Sequence, residues 1–266
     1  MENLLVPSGL PVAQENLLAD LTPTATPDER ADQIDAEPTG EQEADAMPSP
    51  PRRLRPFDGS LPIIQTDDLG VAGTRQLVER SRAESCTVQG ALCAAAASVL
   101  FEPTNRNRVR INVPIDLRRA AGLDDDVVVR FAATMVVLYH SAGTRFWDLA
   151  RCATAQLKAA RDLETVRGSA LMLAQLAPST AGDTEAAMLA ATNADIEITN
   201  LGVTSVFAAE RDVQALWGPT MTTQVAGEQI LGVITHGDVL RMVNVTHDPI
   251  AGLVENISRE LEAACR

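Results

Sequence analysis

Aromatic residues are scarce. Phe, Trp and Tyr make up 3% of the 266 residues, while hydrophobic residues reach 45%, so a core of normal size must be built from Ala, Val and Leu. Histidine is scarcer still, with three copies. The four cysteines (Cys86, Cys93, Cys152, Cys265) form no CxxC pair, and none lies near a His at zinc-ligand spacing. That excludes a zinc ribbon and a disulfide framework, and it points to reduced thiols, no metal site and a cytoplasmic location. Clusters of Lys and Arg that would neutralise phosphates are absent, so nucleic acid is not an expected partner. No long apolar run exists either: ALCAAAASVLF, over 91–101, has 11 residues, against the ~20 that a membrane span needs. The opening MENLLVPSGLPVAQENLL lacks the basic start and apolar core of a secretory signal.

What is present is unevenly placed. The formal net charge is -14, but residues 1–50 alone hold 11 acids and one base, Arg30. The remainder is nearly neutral. Residues 1–60 are rich in Pro, Glu, Asp and Thr and poor in large apolar residues, so they cannot bury enough surface to offset the entropy of ordering. We expect a largely disordered leader over 1–60, with a short helix possible at 13–20, and a folded body over 61–266.

In the body, LPIIQTDDL reads as a strand turned by Asp67 or Asp68. GTRQLVERSRAES reads as a helix capped by Thr74, with Leu77 and Val78 inward. TVQGALCAAAASVLF is a helix with Thr87 as its N-cap and an apolar face of Leu92, Ala95, Ala96, Val99 and Leu100. RVRINVPIDLR alternates: Val109, Ile111, Val113 and Ile115 fall on one face, Arg108, Arg110 and Asn112 on the other, which specifies a strand. FAATMVVLYH is a second strand. A long helix follows over 144–164, with Phe146, Leu149, Cys152 or Ala153, and Leu157 inward. A helix near 168–176 and a Gly/Thr-rich loop come next. Strand-like stretches then cover 195–202, 212–218, 228–236 and 239–248. AGLVENISRELEAAC closes the chain as a helix with Leu253, Val254, Ile257 and Leu261 as its stripe. Strands follow one another without a helix between each pair, so the fold class is α+β with a mixed sheet covered by helices.

The stretch ILGVITHGDVLRMVNVTHDP begins like a nucleotide-sensing module, in which a Gly-Asp turn opens a helix. The residues after Asp238 oppose that: Val239, Val243, Val245 and Thr246 are β-branched, and Pro249 stops the run. No second copy of the module exists. Gly237-Asp238 is therefore the turn of a hairpin. His247-Asp248 lacks the further ligands of a metal phosphohydrolase, and His140 and His236 stand at strand ends. No Ser lies in GxSxG, Ser205 has no base or acid placed to activate it, and no GxxxxGK loop exists. Cys93 and Cys152 fall on apolar helix faces as inert thiols. The residues alone describe an α+β domain with no visible catalytic set.

Several stretches nevertheless follow one another in a recognisable order: TVQGALCAAAASVL, RVRINVPIDLRRAAGL, a strand ending in ITNLG, ILGVITHGDVLRMVNVTHDP, then a terminal helix. Over about 60–266 this resembles the C-terminal half of condensation-domain-like, chloramphenicol-acetyltransferase-like acyltransferases. The resemblance is nearest to the branch of phthiocerol/phthiodiolone dimycocerosyl transferases and alcohol acetyltransferases. It implies two similar subdomains around a tunnel, a thioester donor on CoA or a carrier protein, and an alcohol acceptor. It also implies a general base, the His of an HHxxxDG motif, that takes the acceptor's proton. This sequence has no HHxxxDG and no adjacent histidines, so no catalytic residue carries over, and we expect the chain to be inactive alone.

One residue does carry over by position, and one loop matches by likeness. Arg118, or less directly Arg119, matches the arginine that pairs with the motif's Asp. Asn200 and Gly202, in TNLG, match the lining of the tunnel near the reaction centre, where Asn200 either contacts substrate or caps the strand end. The leading expectation is the C-terminal subdomain of an acyltransferase acting on a lipid or polyketide alcohol, with no bound cofactor and acyl-CoA or acyl-carrier protein as donor. The alternative is a non-catalytic binding or scaffold module. Either would expose the face that its twin covers, so we expect association with a complementary N-terminal half or with itself.

Overall fold

The computed structural model describes residues 52–104, 107–118, 131–162, 180–204 and 213–266, together with Thr165 and Gly168. The described elements, in chain order, are β1 (Ile63–Asp68), α1 (Gly70–Ala83), α2 (Val88–Thr104), β2 (Arg108–Asp116), β3 (Phe131–Tyr139) and α3 (Phe146–Ala160). After them come α4 (Ala181–Ala191), β4 (Ile196–Val203), β5 (Ile230–His236), β6 (Val239–Thr246) and α5 (Leu253–Cys265). The strands form one sheet in the order β1-β6-β5-β4-β2-β3. The β5–β4 and β4–β2 pairs are parallel; the other three are antiparallel. This is the mixed α+β sheet that the sequence indicates.

Period-two alternation decides which face is dry. Val109, Ile111, Val113, Val136, Leu138, Ile196, Ile198, Leu231, Val233, Leu240 and Met242 are buried on the same face. Helices α1, α2, α3 and α5 pack on it or on one another. α2 lies deepest. Residues 91–97 are all buried, so this helix is enclosed on every side and does not show one apolar stripe. Small side chains permit that. At Gly90, a Cβ would stand 2.1 Å from Thr154 Oγ1 and 2.7 Å from the Ala150 carbonyl. Thr87 caps α2 as expected, accepting from the Gly90 N–H at 3.0 Å.

Four expectations need correction. Thr74 does not cap α1, because Asp68 Oδ1 accepts the Gly70 N–H at 2.8 Å and the helix starts there. Thr74 sits one turn in, buried, donating to the Gly70 carbonyl and accepting from Leu240 N–H. Cys152 points to solvent and Ala153 inward, so Cys152 is not a core thiol. The stretch 181–191 is the helix α4, not loop: Thr180 and Asp183 form a reciprocal capping box that starts it. Residues 213–218 form no strand; they cross over the sheet as irregular chain. The helix expected near 168–176 lies outside the described residues, as do 1–51. Residues 52–60, counted with the leader, are bonded to the body through Arg55 N–H to Gln224 O and Ala226 N–H to Arg53 O.

The hairpin is as expected. Gly237 (φ 57°) and Asp238 (φ 60°) form a two-residue loop with both central residues left-handed, which matches the twist of β5 and β6. The two edges of the sheet differ. On β3, the Gln156 side chain from α3 accepts from Val137 N–H (3.0 Å) and donates to Val137 O (2.9 Å), so an amide stands where another strand could pair. β1 has no such cover among the described residues.

Candidate functional site

The sheet splits between β2 and β4. Arg110 N–H donates to Asp195 Oδ2 and Asp195 N–H donates back to Arg110 O, so the even-numbered residues of β2 turn their backbone toward β4. Pairing lasts only through Ile111–Ile196 and Asn112–Glu197. The next β2 residue in that row is Pro114, which has no N–H to give. Beyond it β2 stays with β3 as far as Asp116–Phe131, and β4 stays with β5. The carboxyl ends of two neighbouring parallel strands thus part, which is where open α/β sheets place ligands.

Arg118 stands at the end of β2. Its guanidinium binds Asp116 Oδ1 at 3.0 Å, and its backbone N–H donates to the same oxygen at 3.1 Å. The sequence gives no hint of that carboxylate as its partner. Arg119 is outside the described residues. Asn200 and Gly202 stand across the split, at the end of β4. Asn200 Oδ1 accepts the Gly202 N–H at 2.8 Å, so this oxygen folds onto its own chain. Gly202 is left-handed (φ 74°), and the register shifts between Asn200 and Val203. The result is a bulge, which leaves Leu201 61% and Val203 83% exposed. Phe131, at the start of β3, is also exposed.

Sequence reasoning missed Gln89. From the first turn of α2 its Nε2 reaches the Ile198 carbonyl at 3.4 Å, an oxygen left without a β2 partner where the split opens. Its Oε1 finds no partner among the described residues, although Gln89 is only 8% exposed. The signal was available: the one polar side chain in the stretch VQGALCAAAA, over 88–97.

None of the three histidines presents an open ring to the split. His236 is at the same end of the sheet but buried, with Nε2 3.0 Å from Val213 O and Nδ1 3.4 Å from Thr204 O. His140, after β3, is at the opposite end and lies tilted against Phe101, with ring centres 5.2 Å apart. His247, after β6, is also at that far end, beside Gln224. Burial pushes the Cys93 thiol up to about 12, so it is not a nucleophile. Among the described residues no cluster of His, Cys, Asp and Glu could hold a metal ion. No single described helix is long and apolar enough to cross a membrane.

On the open face, opposite the helices, a second polar group gathers. Glu197 (β4) accepts from Asn112 Nδ2 at 2.9 Å. Glu228 accepts from the Thr223 N–H at 2.9 and 3.1 Å and from its hydroxyl. Between them lies a cavity of about 20 Å³, also lined by Thr192 and Gln229, which is room for about one water. The chain that carries Thr223 crosses β5 at Gly232, where a Cβ would stand 1.9 Å from Pro219 O.

No protein-family model matches this sequence, and no curated protein matches it. Solved structures do. Polyketide synthase associated protein 5 from Mycobacterium tuberculosis superposes with a TM-score of 0.58 at 15% identity, over 98% of this chain and 64% of its own. A structure on condensation domain-mediated chain release from the enacyloxin polyketide synthase gives 0.53 at 16%, over 81% and 44%. PapA2 acyl transferase gives 0.50 at 16%, over 83% and 47%. The chain thus spans between about two fifths and two thirds of these neighbours' lengths. At such identities the likeness is one of fold, and the chain has the fold shared by condensation-domain and PapA-like acyltransferases.

Proposed function

We propose that this chain forms one lobe of an acyl-transfer site, in which an acyl group passes from a CoA or carrier-protein thioester to an alcohol acceptor. The observation that supports this most directly is the split between β2 and β4, which gathers Arg118, Asn200, Gly202 and Gln89 at the carboxyl ends of parallel strands. The fold likeness supports acyl transfer in general, and a lipid or polyketide alcohol as acceptor is part of the proposal. In this reading Gln89 Oε1 accepts an N–H from the thioester's amide-bearing arm. Leu201, Val203 and Phe131 form the rim against which a complementary N-terminal lobe, or a second copy of the chain, closes.

The chemistry needs a base. An alcohol is a weak nucleophile until a group near neutral pKa takes its proton. No described histidine of this chain is placed to do so, and the base comes from the complementary lobe. A second reading has its own support, since Arg118 already binds Asp116: a non-catalytic module that retains the fold to hold a partner or acyl chain. An acyl-CoA assay with an alcohol acceptor, read by thiol release, separates them. The expected result is no turnover by this chain alone and turnover once a lobe bearing HHxxxDG is supplied. Turnover by this chain alone refutes the missing base. No turnover with the second lobe bound leaves the binding module as the function. Light scattering after size exclusion checks the rim, with a species larger than one chain expected.

A further inference from the structure

The segment 213–229 crosses the open face as a strap, and its last turn is held by acids. Glu228 is buried and spends both oxygens on Thr223. That clasp shapes residues 223–228, which pass through Gln224 (φ 60°) and Gly227 (φ 73°). Two other parts of the chain, residues 52–55 and Asp248, attach to the same turn. Arg53 and Arg55 pair with 224–226 through two backbone hydrogen bonds, and Leu54 bridges Val225. The Arg52 guanidinium donates to Ala226 O and Ala194 O. Asp248 Oδ2 accepts the Gly227 N–H at 2.8 Å. The turn is therefore the point where residues 52–55 are tied to the sheet.

Glu197 lies on the other side of the small cavity from this clasp. The groups that face it are Asn112 from β2, Thr192 from the chain after α4, and Thr223, Glu228 and Gln229 from the strap and its end. Among the described residues no cation forms an ion pair with Glu197 or Glu228. Arg110 pairs with Asp195 at 3.7 Å, and Arg52 binds carbonyls. Two carboxyl groups, Glu228 buried and Glu197 half-buried, thus line one small cavity, with hydrogen bonds but no described cation between them.

We propose that uptake of one proton from solvent by Glu197 governs how firmly the 223–228 turn, and the Arg52–Arg55 crossing built on it, stays seated on the sheet. With Glu197 neutral, the cavity holds a single buried charge at most. With Glu197 ionised, two like charges face each other across a partly desolvated cavity, and lifting the strap to admit more water relieves them. Burial, and then the Glu228 charge, raise Glu197 above the ordinary 4.5, against the Asn112 hydrogen bond that lowers it. The seated state therefore holds the proton more tightly than the released one. Seating is firmest below about 4.5 and weakens as pH rises through the raised value of Glu197.

Amide hydrogen exchange on the full chain, corrected for intrinsic rates and read by mass spectrometry from pH 5 to 9, tests this. Protection of 52–55 and 223–228 should fall with pH, about tenfold per unit separating seated from released Glu197, while α2 stays protected. Glu197→Gln should flatten that dependence and hold the strap seated at high pH. Asn112→Ala, which removes the hydrogen bond that lowers Glu197 in the seated state, should deepen the loss and extend it to higher pH. Protection of 223–228 that does not change with pH in the unmodified protein overturns the proposal, and so does an unchanged pH dependence in Glu197→Gln.

Discussion

The two faces of one sheet follow different rules. The helix face is mostly aliphatic, and its side chains pack against α2, whose fully buried run 91–97 is built of Ala, Leu and Cys. The open face carries Asn112, Glu197, Thr199 and Glu228, a strap of irregular chain, and exposed Leu201 and Val203 at a bulge. The first face is held by burial, at roughly 25 cal/mol per Å² of apolar surface removed from water. The second is held by a few hydrogen bonds whose partners lie far apart in sequence. Stability should reside in the first and adjustability in the second.

Neighbouring residues of β5 can break that comparison. Leu231 is on the helix face and fully buried. Leu231→Ala should cost about 2–5 kcal/mol in urea unfolding, through lost transfer energy and the cavity left behind. Gly232, the next residue, faces the strap. Gly232→Ala sets a methyl against the Pro219 carbonyl and must lift the strap, at about 1–3 kcal/mol. Hydrogen exchange in this variant should speed up over 213–229 and leave α2 unchanged. Equal stability losses, with exchange rising everywhere, would mean that the strap is part of the core.

A smaller effect sharpens the same contrast at the sheet's edge. Gln156→Ala removes the amide that covers Val137 and should cost about 1 kcal/mol, because both backbone groups can turn to water instead. Its clearer readout is association. The uncovered β3 edge should raise the fraction of larger species in light scattering, whereas Leu231→Ala lowers stability without exposing an edge.

Legibility divides along the same line. Val109, Ile111, Val113 and Ile115 announce their face through period two, and the stripe of α5 does so through period 3.6, because each burial signal is local. Gly237-Asp238 is equally legible, since a two-residue loop of this twist needs residues that tolerate positive φ. The split is not. Pro114 matters only because it falls in the row that faces β4, and register across a parallel pair is set by distant chain. Gln89, Glu197 and Gln156 likewise gain their roles from what they meet, not from their neighbours in sequence. DVQALWG alternates well enough to suggest a strand, yet residues 213–218 form none, and Gly218–Pro219 lies over Gly232, where a strand has no partner to pair with. Of the candidate site, Arg118, Asn200 and Gly202 came from a resemblance, and only their positions about the split follow from the fold.

The least costly test concerns charge on the solvent side of the helices. Asp148, at the start of α3, accepts from Arg145 at 3.0 Å and from Arg151, which also binds Glu84 on the other side of the α1–α3 contact at 2.9 Å. Hydrogen bonds from Arg145 and then Arg151 hold the Asp148 carboxyl down at about 2, against an ordinary 3.8. A depressed carboxylate stabilises the fold fully above its unfolded value and loses that contribution as pH falls through its folded one. The difference in urea midpoint between the unmodified protein and Asp148→Asn should therefore be constant from pH 7 to about 4 and close by about pH 2. It should be small, because the network faces water and salt screens it. Glu197→Gln should show the opposite sign and a different window: this variant gains on the unmodified protein as pH rises above 4.5, because the carboxyl it replaces is disfavoured when charged. Two carboxylates, one on each side of the sheet, then titrate stability in opposite directions, and a variant pair that moved together would show that the faces are not electrostatically distinct.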